Sequence, residues 1–563
     1  MSSNGATSLT LDGGTLLIRA PFVLKDVLKE TVPARRWDKT RKVWTAPATP
    51  FVYEHIRNMP AEIRATDDAT AQWVEKAELS LSDTQRQYDI ETARKPWRHQ
   101  SEAYCFVRQR MSSILHMHMG TGKTKVVIDV ALNERHGRVL VFCPLQVIEA
   151  WRKQIDRDGM GAIDFFALDG TGSEKKAKQL RQLLARKERH PTVVVVNYES
   201  AWRKALASLF TDKANRWDMV AFDEVHKLKS PSGRAARFGC DVRMNADKVV
   251  GMTGTLMPNG PLDIYGICRA VDVGLFGSSF TRFRARYAVM GGYGDHQVLA
   301  YQNQDELADH LARITYRASK DVLNMPPVTV SNCYFYLDTA TAKLYAQMEE
   351  TFIASLPDGN EVAAVNSLSK QIKLRQLCSG FMYDENHQPV SVSAQKESVL
   401  KDYLSDIGKE PLVVFFNFTA EATSIHSACA ELGLSYSELS GHRKELDEWQ
   451  RGETQVIAVQ MKTGSLGIDL TRAAFNFYYS LDWNLGDYEQ SRERSDRPGQ
   501  TRHVTVTHCL AAQTVDDDVA DALTNKQKVI DVVLARMRVR TGNKKGAASP
   551  RQNDNAAPQH TGA

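Results

Sequence analysis

The chain has 563 residues, 42% hydrophobic and 25% charged, with a formal net charge of +5 and a pI near 8.6. That length holds three or four ordinary soluble domains, and the mildly basic balance permits a nucleic-acid partner without establishing one. No apolar run approaches 18 residues, and the eight cysteines (Cys105, Cys143, Cys240, Cys268, Cys333, Cys378, Cys429, Cys509) form no Cys-x-x-Cys pair; this argues against a membrane span, a zinc ribbon or a disulfide framework and leads us to expect a reducing, cytoplasmic setting.

In chain order, residues 1–60 read as a small α/β unit. Strands at Leu9–Leu11 and Thr15–Arg19 flank the turn Asp12-Gly13-Gly14, Phe22–Glu30 has helical spacing through Val23, Val27 and Leu28, and two tryptophans face each other across a hairpin at Arg36-Trp37 and Val43-Trp44. Residues 1–58 carry nine Lys/Arg against five Asp/Glu. Basic groups beside aromatic rings suit nucleic acid, so Arg36, Trp37 and Trp44 are candidate DNA contacts. The alternative is that both tryptophans are core. Residues 61–95 are charge-mixed and read as a linker with some helix at Ala71–Leu79.

From residue 96 the texture changes. Short, fully apolar runs alternate with amphipathic stretches at Val139–Cys143, Val193–Asn197, Met219–Phe222 and Val249–Met252, and again at Leu412–Phe416, Val456–Gln460, Phe475–Tyr479 and Val504–Thr507. Such runs predict parallel strands covered on both faces, hence two α/β lobes at 96–270 and 395–540. Residues 271–394 read as a more helical spacer, and 541–563, rich in Gly, Ala, Asn, Gln and Pro, as a disordered tail.

Two clusters carry chemistry. Met119-Gly120-Thr121-Gly122-Lys123-Thr124 lies between an apolar run and a predicted helix. Glycines there let backbone N–H groups close round a phosphate. The helix N-terminus adds positive charge, Lys123 reaches the outer phosphates, and the Thr124 hydroxyl can hold Mg²⁺. A full-length loop of this type has a glycine where this chain has Met117, so the match is to a shortened form. About a hundred residues on, the apolar run Met219–Phe222 ends in Asp223-Glu224. At a strand's C-terminal end, Asp223 can hold the metal opposite the phosphate loop and Glu224 can polarise a water. Together they indicate an ATPase.

These clusters, with Asp223-Glu224-Val225-His226, resemble superfamily-two helicases. Gln100 stands where that family reads adenine. Val139–Pro144 with Trp151, and Asn197-Tyr198-Glu199, resemble elements on the DNA side, and Thr253-Gly254-Thr255-Leu256 resembles the element joining the ATP site to the DNA groove, with Leu256 replacing a proline. The resemblance thus places Trp151, Asn197, Tyr198, Thr253 and Thr255 toward DNA. Leu275–Ser278, Arg317–Leu323 and Leu374–Ser379 with Lys396 follow the spacer pattern of the Swi/Snf-type branch. Lys462–Leu470 resembles motif V, with Gly467 on the nucleotide side and Asp469 in place of the usual asparagine. Gln490–Gln500 resembles motif VI, whose two arginines, here Arg494 and Arg497, face the ATP of the opposite lobe. Arg35–Asp38 and Val43–Pro47 resemble the HARP-type accessory domain of fork-remodelling enzymes.

The resemblance implies two tandem RecA-like lobes that bind ATP and Mg²⁺ between them and move along double-stranded or branched DNA. With no long insertion between the lobes and no histone-reading module evident in the sequence, a compact DNA motor is expected rather than a nucleosome remodeller. An RNA helicase and a catalytically silent DNA-binding scaffold are the competing readings. The first is separated by DNA against RNA stimulation, the second by phosphate release.

Overall fold

The structure is a computed structural model that describes residues 6–169, 172–186, 191–292, 294, 297–323, 325–355, 361–364, 366–384, 386–464 and 468–540. Gly467 and the tail 541–563 lie outside the described residues.

The amino-terminal unit is a five-stranded sheet in the order Arg36–Asp38, Val43–Pro47, Thr15–Arg19, Thr7–Asp12, Ile63–Ala65. The hairpin of Thr7–Asp12 with Thr15–Arg19 turns through Gly13, whose φ of +59° favours glycine. Helices Lys25–Thr31, Pro50–Arg57 and Asp68–Leu81 complete it, around Leu9, Leu16, Ile18, Leu28, Val52, Tyr53, Ile56 and Trp73. Two expectations change. Val23 is 75% exposed, and Leu24 takes the buried place. The stretch expected to be a linker belongs to this unit: its expected helix is present as Asp68–Leu81, it adds a fifth strand, and the Trp73 ring on that helix packs edge-on against Tyr53 at 5.9 Å. The unit therefore runs to residue 81.

This unit is fixed to the first lobe. Asp272, fully buried, accepts a hydrogen bond from the Thr49 hydroxyl (2.6 Å) and another from the Phe51 amide (3.3 Å). Arg313 grips Glu54 through both nitrogens (3.0 and 2.6 Å). Gly14 and Gly274 lie so close to Met244 O and Val52 N that an added Cβ would stand 1.6 and 2.2 Å from them. Removing residues 1–60 takes four of the five strands and two of the three helices, uncovers Trp73 and Ala77 and removes the Thr49 and Phe51 donors from Asp272. We expect the truncated chain to lose about 3 kcal/mol of stability from the uncovered apolar core, read as a fall in the unfolding midpoint of lobe one.

Lobe one is a seven-stranded, all-parallel sheet in the order Thr315–Ala318, Ser112–Met117, Ala246–Thr253, Trp217–Asp223, Arg138–Cys143, Thr192–Asn197, Asp164–Leu168. Lobe two is six-stranded and also parallel: Val328–Phe335, Val504–Ala511, Phe475–Tyr478, Leu412–Phe416, Val456–Gln460, Tyr436–Leu439. Helices cover both faces, which is why the central strands are apolar throughout. The expected spacer is not a separate body. Its strand Thr315–Ala318 closes the edge of lobe one and its strand Val328–Phe335 the edge of lobe two, so the lobes meet near residue 320 rather than at 395. Its helices Thr339–Thr351 and Ser367–Cys378 join lobe two, where the Tyr345 hydroxyl accepts from the Val515 amide at 2.8 Å and Arg375 pairs with Asp482 at 3.1 Å. Lys396 is buried against Asp516 at 3.1 Å.

The last described helix, Val515–Arg540, starts on lobe two and packs along the lobe-one helix Gln304–Ile314. Arg317 Nη1 donates to the Leu534 carbonyl at 3.0 Å. The helix spans the two lobes beside the cleft.

Candidate functional site

The buried strand Ser112–Met117 runs into the turn 118–122 and then the helix Lys123–Asn133. Gly120 and Gly122 take φ of +77° and +91°, left-handed conformations that side chains disfavour. Neither has room for a Cβ: it would lie 2.4 Å from Pro498 Cδ at Gly120 and 2.3 Å from Gln100 Nε2 at Gly122. The loop is thus held between lobe one's Gln100 and lobe two's Pro498. Gln100 Nε2 donates to Thr121 O (3.0 Å) while its Oε1 accepts from the Trp97 amide (2.9 Å). His99 Nε2 lies 2.9 Å from the same carbonyl. Gln100 therefore acts here as a brace, with both amide ends engaged. Lys123 Nζ folds back onto the carbonyls of Met117 (2.8 Å) and His118 (3.4 Å).

The strand Trp217–Asp223 is central, between Ala246–Thr253 and Arg138–Cys143, and delivers Asp223 and Glu224 at its C-terminal end. Asp223 is 7% exposed, and Glu224 adopts φ +52°, a strained value for a non-glycine residue. Glu224 Oε2 lies 3.3 Å from His226 Nδ1 and 3.5 Å from Thr253 Oγ1. His226 Nδ1 lies 3.0 Å from Thr253 Oγ1, and its Nε2 3.4 Å from Gln490 of lobe two. Burial, then the neighbouring Glu224 charge, pushes the Asp223 carboxyl up. Burial acts the same way on Glu224, but the hydrogen bond and charge of His226, with Lys123 and Arg494, outweigh it and hold Glu224 ionised. His116, before the loop, has its Nε2 3.0 Å from Gly254 O, and burial pulls its imidazole down to about 3, so it stays neutral.

Lobe two adds Arg494. It is 2% exposed, with Nη1 3.6 Å from Met119 Sδ in the phosphate loop. Arg497 instead donates to Ile468 O at 3.1 Å and so serves its own lobe in this structure. An interlobe pair not anticipated from sequence joins His118 Nε2 to Glu493 Oε1 at 3.4 Å. The signal was present: a histidine within the loop and an acid beside Arg494. A cavity of about 290 Å³ opens next to this pair, lined among others by His116, Glu489, Arg317 and Leu534. Lys123, Thr124, Asp223 and Glu224 do not line it, so it is not the nucleotide cradle. Burial and the Glu493 charge push the Glu489 carboxyl up to about 7. A carboxyl raised on folding contributes stability below its unfolded value that is lost as pH rises through about 7. Glu489→Gln is therefore expected to raise the melting temperature at pH 8 and to leave it unchanged near pH 4.5, read by thermal scans at both values.

The expected DNA-side residues require correction. Trp151 (1% exposed), Tyr198 (2%), Asn197 (6%), Thr253 (0%) and Thr255 (6%) are all buried, so none presents a side chain at the surface. Trp151 and Tyr198 bond to Asp223 instead. Asn197 accepts from Lys176 at 3.1 Å, and the Thr253 hydroxyl donates to Thr255 O at 2.9 Å. The aminoterminal candidates are placed differently: Arg36 is exposed, Trp37 is 48% exposed, and its ring meets the half-buried Trp44 edge-on at 5.2 Å.

Residues 70–381 match the SNF2-related domain and 395–499 the helicase conserved C-terminal domain. Protein p41 of the Acyrthosiphon pisum secondary endosymbiont phage 1 is 23% identical, over 75% of this chain and 94% of its own. A Caenorhabditis elegans homolog of SWI/SNF-related matrix-associated actin-dependent regulator of chromatin subfamily A-like protein 1 is 23% identical, over 92% of this chain and 74% of its own. An uncharacterized ATP-dependent helicase of Mycoplasma pneumoniae is 21% identical over 76% of this chain, which spans 40% of that protein. With a family match over more than half its length, on two parallel-sheet lobes that close a phosphate loop, an acidic pair and a buried arginine into one cleft, the chain belongs to the SNF2-related family and is an ATP-dependent DNA translocase motor of helicase superfamily two.

Proposed function

We propose that the cleft binds ATP together with Mg²⁺ and that its turnover drives movement along duplex or branched DNA with weak sequence preference. One observation carries this reading: lobe two closes on the phosphate loop of lobe one, with Pro498 against Gly120 and Arg494 Nη1 3.6 Å from Met119 Sδ. A site drawn from two bodies is complete only when they are together, so the chemistry is tied to lobe closure.

In this reading Lys123 exchanges its loop carbonyls for the outer phosphates, and the amides opening the helix Lys123–Asn133 receive phosphate oxygens. Glu224 orients and polarises the attacking water. Arg494 meets the charge that develops on the phosphoryl group. Thr124 and Asp223 offer hard oxygen ligands. Among the described residues no group of three or more His, Cys, Asp or Glu could hold a metal ion. Both facts suit Mg²⁺, which takes one or two protein oxygens and fills its remaining positions with phosphate and water. When bound, the ion neutralises charge on the phosphate oxygens.

For the amino-terminal unit the proposed ligand is a single-to-double-strand junction, taken by Arg36 and the exposed Trp37. One fact supports it: an exposed aromatic face beside basic groups. The test compares ATP turnover on linear duplex, single-stranded DNA, forked DNA and RNA, for the wild type and Trp37→Ala. Forked and duplex DNA are expected to stimulate, with binding that weakens steeply as salt rises. Trp37→Ala is expected to lower fork affinity about tenfold and to spare stimulation by linear duplex. Equal losses on both DNAs would remove the junction role, and stimulation by RNA alone would overturn the DNA assignment.

A further inference from the structure

Two buried aromatics converge on Asp223 from different elements. The indole N–H of Trp151, on the helix Ile148–Asp158, donates to Asp223 Oδ2 at 2.9 Å. The hydroxyl of Tyr198, the first residue after the strand Thr192–Asn197, donates to the Asp223 backbone carbonyl at 2.9 Å. The Glu224 amide closes on Asp223 Oδ1 at 3.1 Å. Both carboxylate oxygens and the main-chain oxygen are thus each held by a donor.

We propose that Trp151 is a positioning residue for the metal-side carboxylate, with Tyr198 fixing the peptide that carries it; this rests on the reading of Asp223 as that carboxylate. The chemistry of the donors supports it. All three are neutral. A lysine or arginine in the same place would satisfy the oxygen but cancel its charge and compete with a cation. An indole N–H fixes the orientation of the carboxylate and leaves its full charge available. A buried carboxylate oxygen without such a donor bears its desolvation uncompensated. Tyr198 acts one bond further back. It holds the peptide at the point where the strand ends and Glu224 bends into its left-handed conformation, so it also sets the direction in which Glu224 leaves the sheet. The ring belongs to the same core cluster as Cys143, Ile148 and Ile155, and a buried indole N–H needs a partner in any case, so a core role and a positioning role are separated by keeping the ring and removing the N–H.

The test separates ring from donor. In the full chain, Trp151→β-(3-benzothienyl)alanine keeps the shape of the indole and replaces N–H by sulfur, and Tyr198→Phe removes the hydroxyl alone. Affinity for Mn²⁺ is measured by paramagnetic resonance on the ADP complex, ADP affinity is measured without divalent ions, and turnover is followed against Mg²⁺ concentration. For the tryptophan isostere we expect Mn²⁺ affinity to fall about tenfold and half-saturating Mg²⁺ to rise by a similar factor. Metal-free ADP affinity should hold, and the melting temperature should fall by only a few degrees, the cost of one buried hydrogen bond. Tyr198→Phe should shift the same quantities in the same direction. Wild-type Mn²⁺ affinity in the isostere, with Asp223→Asn losing it, would overturn the role of Trp151 alone. Unchanged Mn²⁺ affinity in Asp223→Asn would overturn the reading of Asp223 and this inference with it.

Discussion

Arg494→Ala is expected to lower DNA-stimulated ATP turnover by about 10³-fold or more while nucleotide binding changes only a few-fold. The guanidinium is nearly inaccessible and lies across the cleft against Met119. Burial pulls its pKa down, and the charges of Glu224 and Glu493 oppose that, so it stays a cation held in a dry place. A fixed, desolvated charge is worth most where new negative charge appears during reaction, and it acts little on a ground state that Lys123 and the loop amides already hold. Arg494→Lys should fail to rescue, because an ammonium lacks the planar fork that meets two oxygens at once. The measurement is turnover at saturating DNA beside the affinity of a fluorescent ATP analogue. Turnover within tenfold of wild type would remove Arg494 from the reaction. Arg497, bonded to Ile468 O, should show a smaller defect in the same assay.

Glu224→Gln should lower turnover by about 10³-fold and leave the ATP-bound form on DNA long-lived. The substitution keeps the shape, so the strained backbone at φ +52° and the neighbouring Thr253 are undisturbed. It removes the negative charge that His226, with Lys123 and Arg494, holds in the ionised form. Without that charge nothing at this position draws a proton from water, and the contacts that close the lobes are untouched. Rapid quench of bound ATP and DNA retention at constant salt check the two halves of the expectation. A variant that hydrolyses normally would show that another group activates the water.

The chemistry was legible because it is written locally. Met119 to Thr124 sit together in six residues, Asp223-Glu224 end one apolar run, and Arg494 and Arg497 lie three apart. The two lobes were legible because strands buried on both faces are apolar throughout. What was not legible depends on pairing far along the chain. Thr315–Ala318 is four residues with a tyrosine and an arginine at its centre, and only its neighbour Ser112–Met117 makes it a strand. Ile63–Ala65 was hidden for the same reason: its partner is Thr7–Leu9, more than fifty residues earlier. Trp151 and Tyr198 mark a different limit. Periodicity says that an aromatic follows a strand; it does not say whether the ring turns out toward a polyanion or in toward a carboxylate. Here both turn in. The candidate surface contacts left are in the amino-terminal hairpin, where an exposed Trp37 against Trp44 is what alternation predicts for the solvent face of an edge strand.

The helix Val515–Arg540 has a mechanical consequence. At 26 residues it is about 39 Å long, rooted in lobe two and lying against Gln304–Ile314 of lobe one. One flank of the cleft therefore has a spine. To part the lobes, the molecule must either peel those two helices away from each other or turn about them. The second route gives a one-sided opening, like a book, in which residues far from the spine travel several times as far as those near it. Small changes at the phosphate loop then become large displacements at the far margin, and the amino-terminal unit, bolted to lobe one, is carried through the whole arc.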